Sequence, residues 1–281
     1  MRFAVSLGAI FPPQTMADLA ALAESSGWDG IFLEDYVVYQ GQVGVPTFDP
    51  WVVLSAMAVA TSRIRLGTLV TPVSRRRPWK LAHEAMTLDH LSAGRLVLGV
   101  GAGDAREPGF AAVGEPADQR TLAARLDEGL EIVARLWTGE PVSYEGQHYR
   151  VTDLTLAPVP VQKPRIPLWV GGDWLVNGVR RRLVRWDGCC VYKGTPGSDN
   201  DQTVTAADVR EMVALVERER GTAAGYDICV GGVAQSSETE EKRDRIRSLA
   251  EAGATWWGDW VAPAELAQMR EAIGRGPLRI D

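Results

Sequence analysis

The chain has 281 residues, 46% of them hydrophobic and 23% charged, which suits one large α/β domain or two small ones in water. A net charge of −6 disfavours nucleic acid and anionic membranes as partners, since either would need a positive surface. Residues 1–8 read as a strand rather than a signal peptide and no run of about 18 apolar residues occurs, so a cytoplasmic protein without a membrane span is expected. Cys189, Cys190 and Cys229 are odd in number and lack zinc-ligand spacing; they read as small strand residues.

Strand signals begin near Arg2, Trp28, Ile64, Arg95, Pro167, Asp187, Asp227 and Ala254, and a helical pattern follows each. The apolar runs 64–70 and 96–100 are unbroken, as in strands covered on both faces of a parallel sheet. Helices are expected over 18–26, 50–61, from Pro78, 175–184, 205–220, 239–252 and 263–273, with Pro50, Pro78 and Pro263 suited to first turns. The fourth helix carries Leu122, Leu126, Leu130, Val133 and Trp137 on one face. Between it and the fifth strand lies an irregular stretch, about 139–166, in which Val142-Ser143-Tyr144 and His148-Tyr149-Arg150 flank Glu145-Gly146-Gln147 like a hairpin.

Eight β-then-α units fit an α/β (β/α)₈ TIM barrel, a fold of about 250 residues, with an insertion between helix four and strand five. The whole chain, 1–281, then reads as a single domain. An open doubly wound sheet would carry G-x-G-x-x-G after its first strand. Gly8-Ala9-Ile10-Phe11-Pro12-Pro13 does not, and the run Gly101-Ala102-Gly103-Asp104-Ala105-Arg106 lacks the third glycine.

Barrel chemistry gathers at the carboxyl ends of the strands. Glu34 and Asp35 end strand two and point to opposite sides, so one of them faces the site, where burial would raise its pKa and suit it to moving a proton. The alternative is a helix cap or loop salt bridge. Asp104 and Glu107, after strand four, carry the same two readings. Arg75, Arg76 and Arg77 follow strand three, placed either to hold a phosphate or as a solvated run. Arg180, Arg181 and Arg182 face several directions around a helix. Trp256, Trp257 and Trp260 crowd the end of strand eight, as walls of an apolar substrate pocket or as core. His83 and His90 lie seven residues apart on one helix, about 10 Å along its axis, so they share no metal, and no metal site is expected.

Several pieces in order carry a family resemblance: Phe48-Asp49-Pro50-Trp51, Arg63-Ile64-Arg65-Leu66-Gly67-Thr68, Leu88-Asp89-His90-Leu91-Ser92-Ala93-Gly94-Arg95, Leu98-Gly99-Val100-Gly101-Ala102-Gly103, and Pro167-Leu168-Trp169-Val170-Gly171-Gly172. Together they resemble the luciferase-like monooxygenases, whose members use FMN or the deazaflavin F420. The resemblance implies a ring bound over the ends of strands one to four, near Val70, Thr71, Gly101 and Ala102, with a non-prolyl cis peptide near Val70-Thr71. It places the cofactor phosphate by Gly171, Gly172 and Asp173, where relatives have a hydroxyl and this chain has a carboxylate. Arg106 would replace the arginine that luciferase-type relatives carry at the Ala102 position, and Arg75, Arg76 and Arg77 would hold the acidic tail of F420.

The function so implied is a flavin-dependent oxidoreductase or monooxygenase acting on a small organic substrate with reduced FMN and oxygen. Its partners would be a separate flavin or F420 reductase and a second copy in a homodimer. The alternatives are hydride transfer with F420, and a flavin-binding barrel without turnover.

Overall fold

A computed structural model describes residues 1–116, 118–194, 203–233 and 239–280. Strands β1 (Arg2–Gly8), β2 (Gly30–Glu34), β3 (Arg65–Pro72) and β4 (Leu96–Gly101) are followed by a separate antiparallel pair, β5 (Val142–Glu145) and β6 (Arg150–Leu154). Strands β7 (Leu168–Asp173), β8 (Gly188–Tyr192), β9 (Asp227–Val233) and β10 (Trp256–Val261) complete a closed parallel barrel in the order β1-β10-β9-β8-β7-β4-β3-β2. This is the expected (β/α)₈ TIM barrel.

The outer layer is α1 (Pro13–Ser25), α2 (Pro50–Ala60), α3 (Pro78–Leu91), a short α4 (Pro108–Ala111) in the loop after β4, α5 (Gln119–Leu136), α6 (Asn177–Leu183), α7 (Ala206–Arg220), α8 (Glu240–Glu251) and α9 (Leu266–Gly274). Leu122, Leu126, Leu130 and Val133 are buried along one face of α5, and the indole of Trp137 donates to the Ala82 carbonyl at 2.9 Å. Three expectations shift. Helix α1 begins at Pro13, ahead of its expected start at Asp18, because Pro13 opens the first turn. Pro263 lies in the loop before α9 instead of its first turn, because Glu265 caps that helix three residues ahead of Gln268. The second strand of the hairpin starts at Arg150, since the N–H groups of Gln147, His148 and Tyr149 all donate to the Glu128 carboxylate on α5.

Side chains alternate across each strand, and the alternation splits the apolar residues into two cores. One lies between the strands and the helices. The other fills the lower barrel with Ala4, Phe32, Val97, Trp169, Cys229 and Trp256. Trp169 and Trp256 meet edge to face at 5.4 Å, Phe32 packs on Trp169 at 5.6 Å, and the Arg2 guanidinium covers Trp256 from below at 4.4 Å. Cys189 and Cys190 face opposite sides, Cys189 in the outer core and Cys190 against the inner one.

Charged clamps fasten the strand connections. The Glu24 carboxylate at the end of α1 accepts from the N–H groups of Ser62, Arg63 and Ile64 just before β3. Its burial raises the pKa, but these bonds outweigh that and hold it down at about 2. Arg95 donates to the carbonyls of Ala58, Thr61, Ile64 and Ser92, so one guanidinium closes the end of α2 and the turn into β4. Asp89 holds the insertion through Gln162. The run 88–95 is therefore a folding device, its Ala93-Gly94 turn made in the left-handed region at φ 53° and 79°.

Candidate functional site

Phe32 and Glu34 share a face of β2, as do Trp256 and Trp260 on β10, so the parity that packs the lower barrel also brings Glu34 and Trp260 to its upper mouth. Register places Gly8 beside Glu34 and Ser6 beside Trp260. The Glu34 Oε2 accepts the Tyr39 hydroxyl at 2.5 Å and the Trp260 indole N–H at 3.1 Å. Burial pushes the Glu34 carboxyl above its ordinary value of 4.5 even though these two bonds and one from the Gln40 side chain favour the charged form. Tyr39 is fully buried over Gly8; a Cβ there would lie 2.3 Å from the ring, so only glycine admits it. Tyr36 packs edge to face on Tyr39 at 5.5 Å, and burial, then the charges of Glu34, Glu107 and Asp104, raise its hydroxyl to about 12.

Asp35 points away from the mouth, into a network that accounts for two of the three arginines after β3. Its carboxylate accepts Arg75 Nη2 at 3.0 Å, Arg76 Nη2 at 2.7 Å, Thr71 Oγ1 at 2.9 Å and the Trp51 indole at 3.3 Å. Arg75 also reaches the Asp35 carbonyl at 2.6 Å and Glu107 at 2.8 Å. Arg77 is exposed and makes no ion pair among the described residues. Asp35, Arg75 and Arg76 thus brace the loops after β2, β3 and β4 against one another.

The brace supports a break in β3. The register with β4 shifts between Thr68 and Thr71, and the peptide bond Leu69-Val70 is cis, one bond earlier than the resemblance placed it. Val70 then lies against Gly101 and Gly171: a Cβ on either would come within 2.8 or 2.6 Å of its methyl groups. The strand ends here are backbone and one valine, a smooth cradle for a flat ring. Ala102 is half-buried beside it, its carbonyl held by Ser74 Oγ at 2.6 Å.

The turn after β7 differs in charge. The Asp173 carboxylate accepts from the N–H groups of Leu175 at 2.9 Å and Gly194 at 3.1 Å, filling the place an anion would take beside Gly172. Asp104 and Arg106 bind each other at 2.7 Å on the surface, and Arg106 holds the Asp104 carboxyl below its ordinary range. The tryptophans separate. Trp260 reaches the mouth, Trp256 is sealed in the lower barrel, and Trp257 faces outward, donating to Asp259, which also pairs with Lys242. Arg180 pairs with Glu211 and Arg182 with Asp127, while His83 and His90 are exposed on α3.

The sequence reading missed Tyr36 and Tyr39, the side chains that shape the surroundings of Glu34. Their signal was available only as aromatic residues in the loop after a barrel strand. Among the described residues no group of three or more His, Cys, Asp or Glu could hold a metal ion, and no helix is long and apolar enough to cross a membrane.

Comparison with known proteins agrees with this geometry. The chain is 36% identical over 166 residues to the F420-dependent glucose-6-phosphate dehydrogenase of Nakamurella multipartita, covering 58% of this chain and 48% of that protein. It is 34% identical over 215 residues to the protein of the same name from Segniliparus rotundus, covering 75% and 62%. The chain therefore spans about half the length of the curated relatives it matches first. The monooxygenase RslO1 from Streptomyces bottropensis shares the fold at TM-score 0.75 and 20% identity, over 97% of this chain and 96% of that one. So does an F420-dependent secondary alcohol dehydrogenase in complex with an F420-acetone adduct, at TM-score 0.76 and 16% identity, over 98% and 97%. The family model described as luciferase-like monooxygenase matches residues 2–274, and the chain belongs to that family.

Proposed function

We propose that this chain is an F420-dependent oxidoreductase that moves hydride between the deazaflavin and a small, uncharged alcohol or carbonyl compound. Glu34 is the observation that carries this reading. When hydride leaves an alcohol carbon, the hydroxyl proton needs an acceptor, and a carboxylate whose pKa is raised by burial is a stronger base for it than a solvated one. Tyr39 and Trp260 both donate to Oε2, so the carboxyl is held in one orientation at the mouth. Tyr39 and Trp260 fix the carboxyl and shield it from water.

The residues fit the ring of F420 better than a phosphate at the β7 turn. Val70, Gly101, Ala102 and Gly171 would hold the ring, with Thr71, Asp35, Arg75 and Arg76 bracing the chain beneath them. When bound, F420 supplies a carbon centre that accepts and returns hydride. The carboxylate of Asp173 does not suit a phosphate beside Gly172.

The proposal departs from the phosphorylated sugar named for the relatives. Past β4, β8 and β9, Arg106 pairs with Asp104, Lys193 with Asp208 at 2.9 Å and Lys242 with Asp259 at 2.8 Å, while Arg245 turns to the Gly231 carbonyl and the Trp257 ring. Residues 195–202 and 234–238 contain no Lys or Arg. The rim instead exposes Val37, Val113, Leu175, Val176 and Tyr192, an apolar approach suited to an uncharged substrate. Reduced FMN with oxygen is the alternative reading within the same family.

The test is incubation of the protein with F420 and a panel of alcohols and glucose 6-phosphate, following the deazaflavin absorbance. Reduction by uncharged alcohols supports the reading. Reduction by glucose 6-phosphate alone would overturn the substrate class, and no reduction by any compound would overturn the activity.

A further inference from the structure

Beside the brace on Asp35 is a cavity of about 170 Å³, several times the ~30 Å³ that one water occupies in the liquid. Its wall comes from four separate segments: Ser74, Arg76 and Arg77 from the junction of β3 and α3, Glu115 from the loop between α4 and α5, Arg125 from α5, and His148 and Tyr149 from the β5-β6 hairpin. None of these was brought together by the sequence reading, which saw the arginine run alone.

The donors in this wall outnumber their acceptors. Arg76 spends Nη2 on Asp35 and sets Nη1 3.8 Å from Glu84, yet its Nε is buried with no hydrogen-bond partner among the described residues. Arg125 spends Nη1 on Glu115 and on the Ser74 carbonyl, and its Nε is likewise buried and unpartnered. Arg77 has no ion pair among the described residues, and the Tyr149 hydroxyl has no hydrogen bond there. Tyr149 lines the cavity with Arg125 and Arg77; burial raises its pKa and the charges of the two guanidiniums oppose that rise. The acceptors nearby are already used: Asp35 by two arginines, Glu107 by Arg75, Glu84 by Arg76 and Lys80, and Glu115 by Arg125.

A ligand without acceptor atoms would leave these donors unpaired, and a cation would add to them. An oxyanion supplies several acceptor oxygens to planar guanidinium forks and a phenolic O–H, the pairing these groups make most strongly. We infer that the cavity lined by Arg76, Arg77, Arg125 and Tyr149 binds a phosphate or carboxylate group, at a site separate from the barrel mouth. Two sources share that chemistry: a free small anion, and the phosphate or acidic tail of the cofactor, which finds a carboxylate at the turn after β7. The inference holds whether or not the chain uses F420.

The experiment is a titration of the full chain with inorganic phosphate at constant ionic strength, set by chloride and read by calorimetry and thermal unfolding. It is repeated on Arg77→Ala and on Tyr149→Phe, which keeps the ring that packs on Trp79. The expected result is saturable phosphate binding with a rise in melting temperature, weakened about tenfold by Arg77→Ala and less by Tyr149→Phe. In a second arm F420 is titrated by fluorescence, with and without phosphate. Competition by phosphate, together with a matching loss of F420 affinity in Arg77→Ala, assigns the site to the cofactor. Unchanged F420 affinity beside weakened phosphate binding assigns it to a free anion. If phosphate acts no differently from chloride and neither variant changes F420 affinity, the site does not exist.

Discussion

The two ends of the barrel interior are built from the same alternation and have opposite character. Below, Phe32, Trp169 and Trp256 fill the space between the strands and leave no exposed side chain. Above, the inward positions pass to Gly8, Glu34, Gly101, Gly171 and Trp260, and the side chains that shape the mouth arrive from loops: Tyr39 after β2 and Val70 at the break in β3. The lower end is a core that could be filled by other large residues of equal volume. The upper end depends on residues that are absent, since each glycine makes room for a neighbour that approaches within about 3 Å of where its Cβ would be.

Replacing residues at the two ends should therefore fail in different ways. Trp169→Ala removes a fully buried indole and is expected to cost about 3–5 kcal/mol in urea unfolding, without altering which cofactor is preferred. A loss below about 1 kcal/mol would mean that the lower core is not packed as described. Asp35→Ala leaves Arg75 and Arg76 without their shared carboxylate and is expected to cost about 3–5 kcal/mol as well. Unlike the tryptophan change, it should also loosen the Val70 cradle, seen as weaker cofactor binding.

Glu34→Gln sharpens the contrast further. Its kcat should fall about 10²-fold. The buried carboxyl binds its proton more tightly folded than unfolded, so the native chain loses stability as pH rises from 4.5 through the raised value, and glutamine does not. The variant should match the native protein in stability at low pH and equal or exceed it at neutral pH, in parallel melts across pH. A variant less stable at neutral pH would show that Glu34 is structural. Gly171→Ala forces Val70 to move and is expected to weaken cofactor affinity about tenfold with little change in unfolding. Arg218→Ala breaks an exposed pair with Glu219 and should change stability by less than about 1 kcal/mol.

The architecture was legible because a strand signal followed by a helical pattern repeats eight times, and each strand began close to its expected position. Strand parity also held information about the site. It separates Trp260 from Trp257, and Glu34 from Asp35, once the inward face of β2 or β10 is known. Two things could not be read from pattern. The first is where a long side chain ends: Arg75-Arg76-Arg77 and Arg180-Arg181-Arg182 look alike as text, yet Arg75 and Arg76 turn inward to one carboxylate while Arg180 and Arg182 pair with acids on neighbouring helices. The second is what irregular loops insert, since Tyr36 and Tyr39 follow β2 with no period to mark them. The resemblance located the break in β3 to within one peptide bond, and the shift in register with β4 is where it falls.

The central claim is that the mouth above Val70 is built for a deazaflavin used as a hydride carrier. Its most direct test is a side-by-side titration of the purified chain with F420, FMN and, without oxygen, reduced FMN, followed by fluorescence and absorbance. The account predicts saturable F420 binding that Gly171→Ala weakens, with much lower affinity for either form of FMN. Tight binding of FMN or reduced FMN with F420 excluded would contradict it and assign the mouth to oxygen chemistry.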